Sequence, residues 1–76
     1  MKKLYLVISD NGDGSQSIRM TLDDAVIEHL YQMEDDGELD DCYQSGDGLQ
    51  VSSVTIPDEC TLETLGISYP LTMDSI

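Results

Sequence analysis

Apolar and polar residues alternate along the N-terminal part of the chain in a pattern that predicts two paired β-strands. From Leu4 to Ser9 both faces of the predicted strand are mostly apolar, which is typical of a central strand. The Asp10–Ser15 segment is rich in Asn, Asp and Gly, which favour tight turns. A second strand is predicted over Gln16–Met20, so the two segments are expected to form a β-hairpin.

The apolar spacing then changes to the three- and four-residue intervals of an amphipathic helix. We predict a helix over Leu22–Asp35, with Gly37 near its end. Thr21 is the expected N-cap, with Asp24 at the third helical position in an arrangement like a capping box. The apolar face is expected to consist of Leu22, Val26, Leu30 and Met33.

A third strand is predicted over Gly48–Ile56, where the Ser52-Ser53 pair shifts the alternation by one residue and indicates a β-bulge. With the apolar first strand in the centre, the sheet takes the order 2-1-3 and the helix packs on one face. The prediction is one α+β domain over residues 1–76, with a three-stranded, mainly antiparallel sheet in ββαβ order. The residues expected to hold the helix in place are Leu4, Leu6, Ile8, Val26, Leu30 and Met33.

The C-terminal segment is predicted to add only minor elements. Cys60–Leu65 suits a short helical turn with Thr61 as its cap and Gly66 at its end. Ile67–Met73 is expected to add an edge segment, which Pro70 interrupts.

Negative charge is concentrated in one third of the chain. The 76 residues carry 16 acidic and three basic side chains, for a formal net charge of -13. Ten of the carboxylates lie between Asp23 and Asp47, where there is no Lys or Arg. Small soluble domains usually carry a net charge of about 2 to 8 in magnitude, so this excess opposes compaction and suggests a strongly basic partner. The residues predicted to bind that partner are Asp23, Asp24, Glu28, Glu34, Asp35, Asp36, Glu38, Asp40 and Asp41.

The placement of these acids is unfavourable for a helix. Glu34, Asp35 and Asp36 lie at the negative end of the predicted helix dipole, where cations are preferred by about 0.3 to 1 kcal/mol each. Asp24 and Glu28 form a like-charge pair one turn apart. Local rules that are broken without visible compensation often mark a functional site.

Little in the sequence supports catalysis, a cofactor or a metal site. His29 is the single histidine and flanks the apolar face of the helix, as a structural histidine does. Cys42 lies among acids, which raise the pKa of a thiol and weaken it as a nucleophile. Two cysteines and one histidine do not complete a four-ligand zinc site. A calcium loop starting at Ser9 would lack its first and twelfth acidic ligands. We therefore predict no enzyme activity and no cofactor.

Composition also limits the partners and the compartment. Three basic residues are too few to neutralise phosphates, which excludes direct nucleic-acid binding. The N-terminal apolar run is shorter than a signal-peptide core or a membrane span, so we expect a cytoplasmic protein without membrane contact. In that compartment Cys42 and Cys60 are expected to be reduced thiols. The oligomeric state is open, with a monomer favoured.

Two interpretations of the acidic block stand side by side. In one, the block is a solvated face that aids solubility, as charge runs usually are. In the other, it imitates nucleic acid. Carboxylates one helical turn apart are separated by about 6 Å along the axis, and each strand of duplex DNA carries one charge per about 3.4 Å. A basic channel built for phosphate would accept such a row, with fast and salt-sensitive association.

In its size, its acidity and the run from Ser9–Ser15 into Thr21–Val26, the chain resembles short phage-encoded proteins. Among these are anti-CRISPR and anti-restriction inhibitors, several of which act as DNA mimics. The resemblance implies a host-defence nuclease complex as the target. It carries no individual functional residue over to this chain.

The resulting hypothesis is a non-enzymatic inhibitor that binds a basic nucleic-acid-binding surface of a host protein through the acidic block. The alternative is an acidic protein–protein adaptor that uses an exposed edge strand, with the charge serving solubility. The salt dependence of partner binding distinguishes the two hypotheses. Binding by charge mimicry should weaken steeply as the salt concentration rises, whereas binding by strand pairing should persist.

Overall fold

The computed structural model describes residues 1–44 and 48–76, and these contain three strands, one α-helix and two short 3₁₀ turns. The element bounds are β1 Lys2–Asp10, β2 Gln16–Thr21, α1 Asp24–Asp36, the first 3₁₀ turn Asp41–Tyr43, β3 Val51–Ile56 and the second 3₁₀ turn Met73–Ser75. The strands form a sheet of order β2-β1-β3. The predicted α+β class, strand order and C-terminal turn are therefore confirmed.

β1 and β2 form the predicted antiparallel hairpin, and aspartates close its loop. Asp10 accepts the Gly12 N–H at 2.9 Å, and Asp13 accepts the Ser15 N–H at 2.9 Å. Hydrogen bonds from the side chain and backbone of Ser15 lower the pKa of Asp13. Gly12 and Gly14 have φ angles of 82° and 93°, which glycine adopts without steric cost.

Both outer strands run antiparallel to β1, so β2 and β3 are parallel to each other, as expected for strands joined across a helix. The register of β3 is regular, with Leu6 opposite Ser52 and Tyr5 opposite Ser53. The predicted β-bulge at this serine pair is therefore wrong. β3 is an edge strand in which both serines are exposed, so burial does not impose a strict alternation of residue types there.

The helix begins two residues later than predicted, because Asp23 and not Thr21 is its N-cap. Asp23 accepts the Ala25 N–H at 2.9 Å. Thr21 is the buried last residue of β2, and its hydroxyl accepts the Asp23 N–H at 3.0 Å. Thr21 thus holds the turn that leads into the helix. Asp24 is the first helical residue and does not complete a capping box.

The helix ends at Asp36, and the predicted position of Gly37 near its end is confirmed. Gly37 has a φ angle of 74°, in the left-handed region. Its N–H donates to the Glu34 carbonyl at 3.2 Å, and the Glu38 N–H donates to the Met33 carbonyl at 2.9 Å. These bonds make a Schellman motif, for which glycine is the best residue because it has no Cβ.

A small apolar core joins the helix to one face of the sheet. Val26 and Leu30 are buried as predicted, and Met33 packs at the margin of the core. The buried residues of this core are Val7, Val26, Ile27, Leu30, Leu39, Tyr43 and Leu71, and Leu4 is buried outside it.

The face of β1 that meets the helix differs from the predicted one. Val7 is buried in the core and Tyr5 packs against it. Because side chains alternate along a strand, Leu4, Leu6 and Ile8 lie on the opposite face. Their predicted role beneath the helix is wrong. Both faces of β1 are apolar, so the pattern alone did not distinguish them.

The C-terminal segment closes the core without forming a strand. The turn predicted near Thr61 is confirmed, since the Thr61 hydroxyl accepts the Thr64 N–H at 3.1 Å and Gly66 ends the turn with a φ angle of 77°. Leu71 is buried, and its N–H donates to the Met20 carbonyl at 2.8 Å. The predicted edge segment thus amounts to one backbone hydrogen bond beside β2.

The N-cap can be tested by two substitutions at one position. Asp23→Ala should lower the free energy of unfolding by about 1 kcal/mol, because the Ala25 N–H loses its acceptor. Asp23→Asn keeps an acceptor and removes only the charge, so its unfolding free energy should stay within about 0.5 kcal/mol of the parent protein. Urea unfolding followed by circular dichroism measures both values. Equal losses in the two variants would contradict the capping role.

Candidate partner-binding surface

The nine acidic residues predicted to bind a partner are all exposed. They lie on helix α1, at its N-cap, and on the segment that follows it into the first 3₁₀ turn. Asp47, the tenth acid of the block, lies outside the described residues. We call the following nine residues the acidic surface: Asp23, Asp24, Glu28, Glu34, Asp35, Asp36, Glu38, Asp40 and Asp41.

No member of the acidic surface forms a salt bridge within residues 1–44 and 48–76. The one salt bridge found in these two ranges joins the N-terminal ammonium of Met1 to Asp58 at 2.9 Å. The last turn of α1 contains no basic residue either. The charges of the acidic surface are therefore screened only by water and dissolved ions. Repulsion among its carboxylates destabilises the folded state.

Asp24, Glu28 and Asp35 lie along one flank of α1, because helical residues four and seven apart share a side. Tyr5 of β1 shows which part of the sheet this flank approaches. Hydrogen bonding with Asp24 raises the pKa of the Tyr5 hydroxyl, and burial and the charges of Asp24 and Glu28 raise it further. We call these three acids the helix flank; its Asp24 and Glu28 end lies near Tyr5 of the central strand.

Glu34 lies on a different side of the helix from the helix flank, and its carboxylate stabilises the fold. Its Oε2 accepts the Leu49 N–H at 2.8 Å, which ties the last turn of the helix to the segment before β3. A Cβ added at Gly48 would meet the same Oε2 at 3.2 Å, so the backbone passes close to this carboxylate. Glu34 therefore does not extend the row formed by the helix flank.

Asp23 and Asp40 combine exposure with a structural role. Asp23 caps α1, and Asp40 accepts the Cys42 N–H at 3.2 Å as the cap of the first 3₁₀ turn. A carboxylate has two oxygens, so one can accept from the backbone while the other stays available to a cation. Both residues can thus contribute charge to a partner from fixed positions.

The structure brings a further acid, which sequence reasoning left out, to the acidic surface. Asp10, Asn11 and Gly12 line a groove of about 270 Å³ together with Asp41 and Cys42. The turn-like composition had placed Asp10 in the loop, whereas β1 extends through it. The approach of Asp10 to Asp41 depends on packing of the first 3₁₀ turn against β1, which no local pattern signals.

The side chains of this groove suit charge recognition better than covalent chemistry. Burial raises the pKa of the Cys42 thiol, and the neighbouring Asp40 raises it further. The reactive thiolate is therefore disfavoured. In the ranges 1–44 and 48–76, no group of three His, Cys, Asp or Glu side chains is arranged to hold a metal ion.

Comparison of the chain with protein-family models, curated proteins and solved structures finds no match. Across the described parts of the chain, no helix has the length and apolar character needed to cross a membrane.

Neutralising acids at the end of the helix should have opposite effects at neighbouring positions. Asp35→Asn combined with Asp36→Asn removes two charges from the negative end of the dipole and should raise the unfolding free energy by about 0.6 to 2 kcal/mol. Glu34→Ala removes the acceptor of the Leu49 N–H and should lower it by about 1 kcal/mol. Urea denaturation measures both changes. A gain in stability from Glu34→Ala would show that charge repulsion outweighs the hydrogen bond to Leu49.

Proposed function

We propose that this chain is a non-enzymatic inhibitor of the phage anti-CRISPR or anti-restriction kind. It binds a basic nucleic-acid-binding surface of a host nuclease complex by imitating the charge of DNA. The main observation that supports the proposal is the helix flank, whose three carboxylates are exposed on one side of a regular helix. In the described ranges, no basic side chain is paired with them.

The spacing of the helix flank suits a groove built for phosphates. Asp24 and Glu28 are about 6 Å apart along the helix axis, and Asp35 follows about 10 Å further on. The phosphates of one DNA strand advance by about 3.4 Å per nucleotide along the axis, so the flank alone offers less than about half the charge density of one strand. Lysine side chains have flexible four-carbon stems, which can adjust to such a difference.

Binding accounts for the acids better than solubility alone. A net charge of about 2 to 8 in magnitude already keeps a small domain soluble, and this chain carries -13. Asp35 and Asp36 also lie where they weaken the helix. A basic partner would remove the repulsion among the carboxylates and attract the chain over long distances, which speeds association.

Members of the acidic surface beyond the helix would widen the contact with the partner. Glu38, Asp40 and Asp41 follow the helix, and Asp10 shares the groove beside Asp41. Because Asp40 is fixed by its bond to the Cys42 N–H, this region presents charge on ordered backbone. A preorganised charged surface loses less conformational entropy on binding than a flexible acidic tail.

Competition with DNA for CRISPR and restriction complexes tests the proposal. The chain should displace a fluorescent DNA duplex from its target complex, and raising NaCl from about 50 to about 500 mM should greatly weaken the displacement. Neutralising the helix flank with Asp24→Asn, Glu28→Gln and Asp35→Asn should weaken competition at least about tenfold. Fluorescence anisotropy measures each of these effects.

A matched control removes the same amount of charge elsewhere, with Glu59→Gln, Glu63→Gln and Asp74→Asn. These three exposed acids lie outside the acidic surface, so the control variant should compete nearly as well as the parent chain. Equal weakening by the two triple variants would show that only total charge matters. The proposal would be overturned if the parent chain displaced DNA from none of the CRISPR and restriction complexes tested.

A further inference from the structure

The outer edge of β3 is open, and the register shows which of its backbone groups face outward. The Ile8 N–H donates to the Gln50 carbonyl at 3.2 Å, so these two residues form a hydrogen-bonded pair between β1 and the chain entering β3. Hydrogen-bonded and non-hydrogen-bonded pairs alternate along antiparallel strands. The N–H and C=O groups of Val51, Ser53 and Thr55 therefore point away from β1. Within the described residues they have no hydrogen-bond partner.

Among the residues that the structure describes, this edge also lacks the features that usually prevent strand addition. Natural edge strands commonly carry charged residues or proline, or are covered by another segment. β3 contains only Val, Ser, Thr and Ile. On the other side of the sheet, the Leu71 N–H already occupies the Met20 carbonyl. The outer edge of β3 is thus the better site for an additional strand.

The Asp24 and Glu28 end of the helix flank lies near the residue of β1 that pairs with the middle of β3. Tyr5 lies directly opposite Ser53 in the register. Asp24 and Glu28 lie close enough to this tyrosine to raise the pKa of its hydroxyl. A strand added beyond β3 would lie about 4.8 Å further out, and long side chains on its helix side could reach these carboxylates.

The opposite face of the sheet near β3 is apolar. Val54 is 48% exposed and Ile56 is half-buried, whereas Leu4, which lies opposite Val54 on β1, is buried. Apolar side chains on that face of an added strand would continue this surface. Because side chains alternate along a strand, the best partner segment carries basic residues at every second position and apolar residues between them.

We propose that the outer edge of β3 binds an extended, basic segment of a partner protein by strand addition, with Lys or Arg side chains directed toward the helix flank. Backbone hydrogen bonds to Val51, Ser53 and Thr55 contribute affinity, and the alternating side chains contribute specificity. This inference goes beyond the proposed function, because it identifies a second surface that charge mimicry does not require.

A second copy of the chain is a poorer occupant of the same edge. Antiparallel pairing of two β3 strands would place both helices on one face of the joined sheet, with their helix flanks facing each other. Asp24 and Glu28 of the two copies would repel, and a net charge of -13 on each copy adds repulsion at long range. A basic segment is attracted at the same position.

A synthetic octapeptide of alternating Arg and Val tests this proposal. Isothermal titration calorimetry measures its affinity for the parent chain, and bound peptide should slow amide hydrogen exchange at Val51, Ser53 and Thr55 at least about tenfold. A peptide that is N-methylated at the residues facing β3 keeps its charge but loses the backbone donors. It should bind at least about tenfold more weakly than the unmodified peptide.

Ser53→Pro removes a backbone donor from the protein, as N-methylation removes donors from the peptide. It removes an outward N–H and leaves the ladder with β1 in place, so it should weaken peptide binding at least about tenfold without changing the circular dichroism spectrum. Ser53→Ala keeps the N–H and should bind the peptide like the parent chain. Because Ser53→Pro retains every carboxylate, its competition with DNA should also match that of the parent chain.

Three results would overturn the inference while leaving charge mimicry intact. One is a lack of binding by the peptide. Another is equal binding of the unmodified and N-methylated peptides to the parent chain. The third is a dimer of the chain in analytical ultracentrifugation that Ser53→Pro dissociates, which would make a second copy the occupant of the β3 edge.

Discussion

Electrostatic repulsion limits how this chain can fold, because its 76 residues carry a net charge of -13 and its apolar core is small. In the described part of the chain, seven buried side chains from β1, α1 and the segments around them form that core. An unpaired carboxylate in so small an apolar space would be very costly. All nine residues of the acidic surface are accordingly exposed, where water and ions can screen them.

Several acids also hold the backbone at points where the chain turns. Asp23 caps the helix, Asp10 and Asp13 close the hairpin loop, and Glu34 accepts from the Leu49 N–H. Hydrogen bonds to an ionised acceptor are stronger than neutral ones, so these contacts offset part of the repulsion. The helix flank has no backbone hydrogen bond of this kind among the described residues, and its charge remains free for a partner.

Local patterns were sufficient to predict the elements, the strand order and the position of the acidic surface, because periodicity and turn chemistry act over a few residues. They could not decide which face of β1 meets the helix, since both faces are apolar and Val7 and Leu6 look alike in sequence. The serine pair Ser52-Ser53 suggested a bulge because an edge strand imposes little alternation. The roles of Glu34 and Asp10 depend on contacts between residues far apart in the chain, which spacing does not reveal.

The salt dependence of stability tests most directly whether unpaired negative charge dominates this protein. Urea unfolding at pH 7 gives the free energy of unfolding across a range of about 20 to about 500 mM NaCl, over which the screening length falls severalfold. We expect this free energy to rise steadily with salt, because screening weakens the repulsion among the carboxylates. We expect a smaller rise when the three acids of the helix flank are neutralised. A constant free energy would contradict this picture by showing that the repulsion is negligible, and a free energy that falls as NaCl increases would show that favourable charge interactions outweigh it.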